Sequence, residues 1–262
     1  MKHRRLRGKG IFLLPNLFTT GNLFSGFYAL IASFNGHYDL AAIAILVATV
    51  FDFLDGKVAR ATRATSRFGI EYDSLADLVS FGLAPGLLIY AWALDTYGRV
   101  GWIAAFLFVV CGALRLARFN VQVEHGEGRH FHGLPIPAAA TVLATTVLLD
   151  LHFIGMGREI RPMVMLLTTY ALAFLMVSGL RYRSFKEYHW RDRKPFRVLV
   201  SVVLVMVLVA AQPQIMLFAI SVLYALSGPF EFVLGKPIRR YLAQRRVQAK
   251  EEAEESESVL HT

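Results

Sequence analysis

Asp52-Phe53-Leu54-Asp55-Gly56-Lys57-Val58-Ala59-Arg60, continued by Gly69, Asp73 and Asp77, sets four carboxylates among apolar helical segments. An uncompensated charge near the middle of a bilayer costs about 3 kcal/mol or more. Asp52 and Asp55 are three residues apart and Ala59 follows by four, so on a helix the three share one face. Asp73 and Asp77, four apart, share a face of the next helix. The segment between the two pairs is short, so the helices run antiparallel and the four carboxylates converge on one point.

Outward from this stretch the chain is apolar. Of 262 residues, 55% are hydrophobic and the mean hydropathy is +0.47, above the roughly 45–50% apolar share of soluble domains. The apolar residues fall in blocks of about 17–24, the length that crosses a hydrocarbon core of about 30 Å. The expectation is an all-α, polytopic transmembrane helix bundle of about eight spans, near 17–34, 39–60, 74–95, 100–119, 137–155, 162–180, 197–211 and 214–234. A basic N-terminus (1–11) precedes a membrane-embedded domain (12–236), and a charged tail (237–262) follows it. Pro15, Asn16 and the Thr19-Thr20-Gly21-Asn22 cluster interrupt the first apolar segment, unlike the short apolar core of a cleaved signal peptide.

The formal net charge of +9 is distributed by side. With eight spans, 25 of the 28 Lys and Arg fall on one face, leaving Arg99, Arg158 and Arg161 opposite. The positive-inside rule makes that face cytoplasmic, with both termini and the carboxylate cluster on it. Basic residues lining a membrane face argue against nucleic acid as a partner. The single cysteine, Cys111, allows no intrachain disulfide and reads as a small buried hydrophobe.

Four close carboxylates repel and do not all stay ionised unaided. One or two divalent cations resolve this, and all-oxygen ligation suits Mg²⁺ or Mn²⁺ rather than zinc. Gly56 and Gly69 open the backbone to a bulky ligand, while Arg60, Arg63 and Arg67 supply charge for phosphate. Metal, arginine and open backbone together describe a diphosphate site. Interhelical salt bridges are a simpler alternative. A proton or cation relay in a transporter also explains the aspartates, but not Gly56, Ala59, Arg60 and Gly69 at fixed spacing.

At these residues the chain resembles the CDP-alcohol phosphotransferases, whose motif D-x2-D-G-x2-A-R-x8-G-x3-D-x3-D is met at Asp52, Asp55, Gly56, Ala59, Arg60, Gly69, Asp73 and Asp77. The resemblance covers roughly residues 12–180 and implies a six-helix membrane core, dimeric and open to cytoplasm and lipid. It further implies that Asp52, Asp55 and Asp73 hold two metal ions, with Asp77 beside them as general base. Asn16, Gly56, Arg60, Ser66 and Gly69 would face the CDP-linked donor. Within the family, "PNLFTTGNLFSGFYAL" at 15–30, "YDSLADLVSFGLAPG" at 72–86, "CGALRLARFNV" at 111–121 and "FHGLPIPAAA" at 131–140 are most similar to integral-membrane phosphatidylserine synthases. That branch implies a homodimer in the cell membrane that transfers phosphatidyl from CDP-diacylglycerol to L-serine.

Arg115 and Arg118, three apart near the cytoplasmic end of the fourth span, suit the serine carboxylate, and Asn120 a further hydrogen bond. Positive-inside anchoring is the other reading of both arginines. Glycerol 3-phosphate, inositol or its phosphate, and choline remain alternative acceptors, and an ether lipid an alternative donor. His125, His130 and His132 match no standard zinc spacing and read as a polar loop. Asp150, Glu231, Trp92 and Trp102 are expected at the membrane interfaces.

Overall fold

The computed structural model describes residues 13–62, 66–124, 133–155, 157, 160–180, 182 and 211–232. These form seven long helices: α1 (Leu13–Phe34), α2 (Tyr38–Thr62), α3 (Arg67–Tyr97), α4 (Arg99–Glu124), α5 (Ile136–Ile154), α6 (Ile160–Val177) and α7 (Pro213–Phe232). There is no strand among the described residues. All but α2 are apolar and long enough to cross a membrane. The 25 residues of α2 have the length as well, but they carry the charges of the motif. The chain is a multi-pass, all-helical membrane protein. The expected seventh span, 197–211, lies almost wholly outside the described residues, as do both charged termini.

Helix boundaries follow local chemistry. The turn between α1 and α2 passes through Gly36 at φ 79°, a conformation that favours glycine. Ser66 caps α3 by accepting a hydrogen bond from the Gly69 amide at 3.0 Å, satisfying one of the amides that a helix start leaves unpaired. The third span therefore begins seven residues before the expected 74, and Gly69 and Asp73 sit in its first turns. Pro85 has no N–H to offer the carbonyl four residues back, and α3 widens into π-helical turns at Leu78–Leu83. The chain restarts at Ile136, after Gly133 at φ 83°.

The packing places α5 at the centre. It is buried from Val142 through Asp150, as an all-round apolar helix must be, and it contacts α2, α3 and α6. The α1–α2 seam is built of Ala29, Ala32, Ala41, Ala44, Ala48 and their neighbours, small residues that let backbones approach without side-chain loss. Between α1 and α3 the approach is closer still: a Cβ on Gly26 would lie 2.6 Å from the Ser80 Cα. Ser80 donates to the Asn22 carbonyl there at 2.9 Å. This contact fixes the height of α1 against α3, and so the polar residues of α1 against the motif.

Two of the residues expected at the interfaces are covered by protein. Asp150 is buried, ion-paired through Oδ2 to Arg161 Nε at 3.1 Å, and Trp92 is buried beneath the Arg161 guanidinium, 4.8 Å from its ring centroid. Position along a span did not disclose that three helices close over these groups. Trp102 is exposed as expected, and Cys111 is buried.

Candidate active site

Three of the four carboxylates expected to converge do so. Asp52 from α2 and Asp73 and Asp77 from α3 each present a carboxylate oxygen to one point, and these oxygens all lie within 4.8 Å of one another. Asp73 Oδ1 is buried without a hydrogen-bond partner. Three carboxylates at this separation, one with an orphaned buried oxygen, are a donor set that suits a hard divalent cation. Asp55 stands beside this group, accepting a hydrogen bond from the Thr19 hydroxyl.

A cavity of about 310 Å³ opens next to the carboxylates, between α1, α2, α3 and α4. It is lined by Asn16 and Thr19 of α1, Asp55, Gly56, Ala59 and Arg60 of α2, Ser66, Gly69, Ile70 and Asp73, and Phe119 of α4. All five residues expected to face the CDP-linked donor, Asn16, Gly56, Arg60, Ser66 and Gly69, stand around this one cavity. The glycines have local reasons. A Cβ on Gly69 would come within 3.2 Å of the Ser66 hydroxyl and 3.5 Å of Asn16 Oδ1; one on Gly56 would point at the Arg60 guanidinium. Arg67 is exposed at the start of α3, and Arg63 lies outside the described residues.

The three acceptor-side candidates separate. Arg115 is partly buried on α4, within electrostatic reach of Asp77, and its Nε is buried without a hydrogen-bond acceptor. Arg118 is exposed. Asn120 donates to the Ser74 hydroxyl at 3.0 Å, tying α4 to α3 beside Asp73 of the motif. The structure thus brings Arg115 and Asn120 to the motif and leaves Arg118 at the surface.

Sequence reading missed Asn22 and Thr19 as parts of the site. Asn22 is fully buried and donates from Nδ2 to Asp77 Oδ1 at 2.9 Å. Thr19, also buried, holds Asp55. The available signal was Asn16, Thr19 and Asn22 at intervals of three in an apolar helix, a spacing that puts neighbours on adjoining faces.

Clustered carboxylates beside an arginine-edged cavity in a helical membrane bundle suit metal-assisted chemistry on a phosphorylated ligand. The chain belongs to the CDP-alcohol phosphatidyltransferase family, which matches residues 12–177, the stretch from the start of α1 to the end of α6. Members generally use a divalent metal. The chain is 40% identical over 199 residues to a CDP-diacylglycerol–serine O-phosphatidyltransferase of Helicobacter pylori, covering 75% of this chain and 83% of the relative. It is 38% identical over 171 residues to archaetidylserine synthase of Methanothermobacter thermautotrophicus, covering 64% and 69%. A Bacillus subtilis CDP-diacylglycerol–serine O-phosphatidyltransferase is 35% identical over 175 residues, covering 67% and 92%.

Proposed function

We propose that this protein transfers the phosphatidyl group of CDP-diacylglycerol to the hydroxyl of L-serine, forming phosphatidylserine and releasing CMP. The observation that carries the reading is the carboxylate group of Asp52, Asp73 and Asp77 set against the cavity lined by Asn16, Gly56, Arg60, Ser66 and Gly69. Serine as acceptor is supported by the names of the relatives: phosphatidylserine and archaetidylserine synthases differ in lipid and share the amino acid.

In this reading the diphosphate of the donor lies in the cavity, with Arg60 at its mouth and the open backbone at Gly56 and Gly69 admitting it. The serine hydroxyl attacks the lipid-bearing phosphorus as the bond from that phosphorus to the CMP oxygen breaks. A hydroxyl is a weak nucleophile at neutral pH, so its proton passes to a carboxylate as the new bond forms. Asp77 has this role, with Asn22 fixing the orientation of its carboxylate. Arg115 holds the serine carboxylate on the Asp77 side of the cavity. Asp52, Asp55, Asp73 and Asp77 would hold two Mg²⁺ or Mn²⁺ ions, which when bound neutralise the diphosphate and stabilise charge on the leaving group. The protein works as a homodimer in the cell membrane with site and termini cytoplasmic. The basic loops support that orientation.

Purified protein given CDP-diacylglycerol, Mg²⁺ or Mn²⁺ and one alcohol at a time tests this through CMP release. Serine-dependent CMP is expected. CMP release with glycerol 3-phosphate or an inositol but not with serine retires the serine reading and leaves family membership standing. An ether-linked CDP-lipid in parallel separates the two donor classes.

A further inference from the structure

Among the described residues, Phe119 is the one member of α4 that lines the cavity, and it is the cavity's largest apolar side chain. It is partly buried. A volume of about 310 Å³ is at the low end of the roughly 300–1,000 Å³ of ligand pockets. The space that one aromatic ring fills therefore decides what else the cavity holds.

A short chain of hydrogen bonds sets the height of this ring. Asn120, the next residue, donates from Nδ2 to Ser74 Oγ at 3.0 Å, and the Ser74 hydroxyl donates to the Ile70 carbonyl at 3.0 Å. Ser74 follows Asp73 in the chain, and Ile70 and Asp73 both line the cavity. The contact pins α4 to the α3 wall, with Phe119 beside it. Asp73 also belongs to both the cavity and the three-carboxylate group, so the ring stands at the end where an alcohol must meet the carboxylates.

We propose that Phe119 is a specificity-determining residue that limits the size of the acceptor. The inference rests on the reading of L-serine as acceptor and sharpens it. A carboxylate and an ammonium are common to serine and its larger homologues, so groups that bind those charges do not tell them apart. A wall does. The Phe119 ring leaves room at the carboxylates for serine and excludes an amino alcohol with one more carbon. The exclusion is steric, since packed side chains yield little, and the bond from Asn120 to Ser74 keeps α4 from retreating.

The test compares L-serine with L-homoserine and α-methylserine, which keep the carboxylate, the ammonium and a primary hydroxyl and add one carbon each. One extra methylene against a pocket wall is worth about tenfold or more in kcat/KM, and full-length wild type should prefer serine by that margin. Phe119→Ala should cut the preference about tenfold, while the KM for CDP-diacylglycerol stays within about twofold. Phe119→Leu, a milder change, should shift the preference the same way by less, and Phe119→Trp should lower kcat/KM for serine itself. Each preference is a ratio measured on one preparation, so partial loss of folded protein cancels from it. A preference unchanged in both the alanine and leucine variants overturns the inference and leaves serine as the acceptor. So does a raised KM for CDP-diacylglycerol with the preference unchanged, which would give the ring to the donor. Equal use of serine and its homologues by the wild type also overturns it. If the wild type releases CMP with none of the three, the serine reading itself fails and the inference with it.

Discussion

Asn22 on α1 donates from Nδ2 to Asp77 Oδ1 on α3 at 2.9 Å, in a fully buried setting. The contact joins a polar residue of the first helix to the last carboxylate of the motif, and the Gly26–Ser80 approach one turn away sets its height. Asn22 also has a cost: its Oδ1 is buried with no hydrogen-bond partner.

Replacing Asn22 by leucine should therefore separate activity from stability. Asp77 loses the donor that orients it, and the rate of CMP release at saturating substrates should fall about ten- to a hundredfold, or roughly 1.4–2.7 kcal/mol in the barrier. The unfolding temperature should change little, since an apolar side chain of similar size removes an orphaned acceptor along with the useful donor. Turnover and thermal unfolding on the same preparation check both halves. A large drop in unfolding temperature with wild-type turnover would reverse the assignment.

Thr19 offers the complementary case. Its hydroxyl donates to Asp55 at the wall of the cavity, and Thr19→Val deletes that bond while conserving volume. One net hydrogen bond to a charged group is worth about 1.5–3 kcal/mol. The expected result is a KM for CDP-diacylglycerol raised by at least about tenfold, with the KM for serine nearly unchanged. Titrating the two substrates separately distinguishes this from a general loss of activity.

The carboxylate group predicts a metal requirement. Asp73 Oδ1 has no hydrogen-bond partner, and its neighbours Asp52 and Asp77 bring only more negative charge. Chelation with EDTA should abolish CMP release, and Mg²⁺ or Mn²⁺ should restore it. Asp73→Asn should reduce turnover by about a hundredfold or more, the scale of losing electrostatic stabilisation of the reacting phosphate. It should also raise the metal concentration needed for half-maximal rate. Full activity in EDTA would remove the metal from the reading.

How much of this was legible in the sequence depended on the range of the signal. Asp52, Asp55, Asp73 and Asp77 declared themselves because helical spacing is local and charges in apolar helices are conspicuous. Gly56, Arg60, Ser66 and Gly69 were found because they lie within the same motif, and Asn16 because the family resemblance extends to the first helix. Asn22 and Thr19 were harder, since neutral polar residues are cheap enough in a membrane helix to need no special reason. What they meet is decided by the α1–α3 packing height, set by Gly26 and Ser80 rather than by their own neighbours. Arg115 and Arg118 looked equivalent, because three-residue spacing does not say which of two adjoining helix faces is covered.

Asp150 makes the last prediction, since its place near a span end did not disclose the structural element it belongs to. Its carboxylate is buried against Arg161, whose guanidinium lies over Trp92, so α3, α5 and the start of α6 are joined at one place. Trp92 is 15 residues beyond Asp77, about 22 Å along the helix at 1.5 Å per residue, so the cluster is remote from the chemistry. Breaking a buried pair by removing one partner leaves an uncompensated charge and costs about 3–5 kcal/mol. Arg161→Met should lower the unfolding temperature clearly while turnover at a permissive temperature stays near that of the wild type. The double variant Asp150→Leu with Arg161→Met should recover much of the lost stability, because an apolar pair of similar volume leaves no buried charge unpaired. Turnover falling in proportion to stability at every temperature would instead couple this end of the bundle to the site.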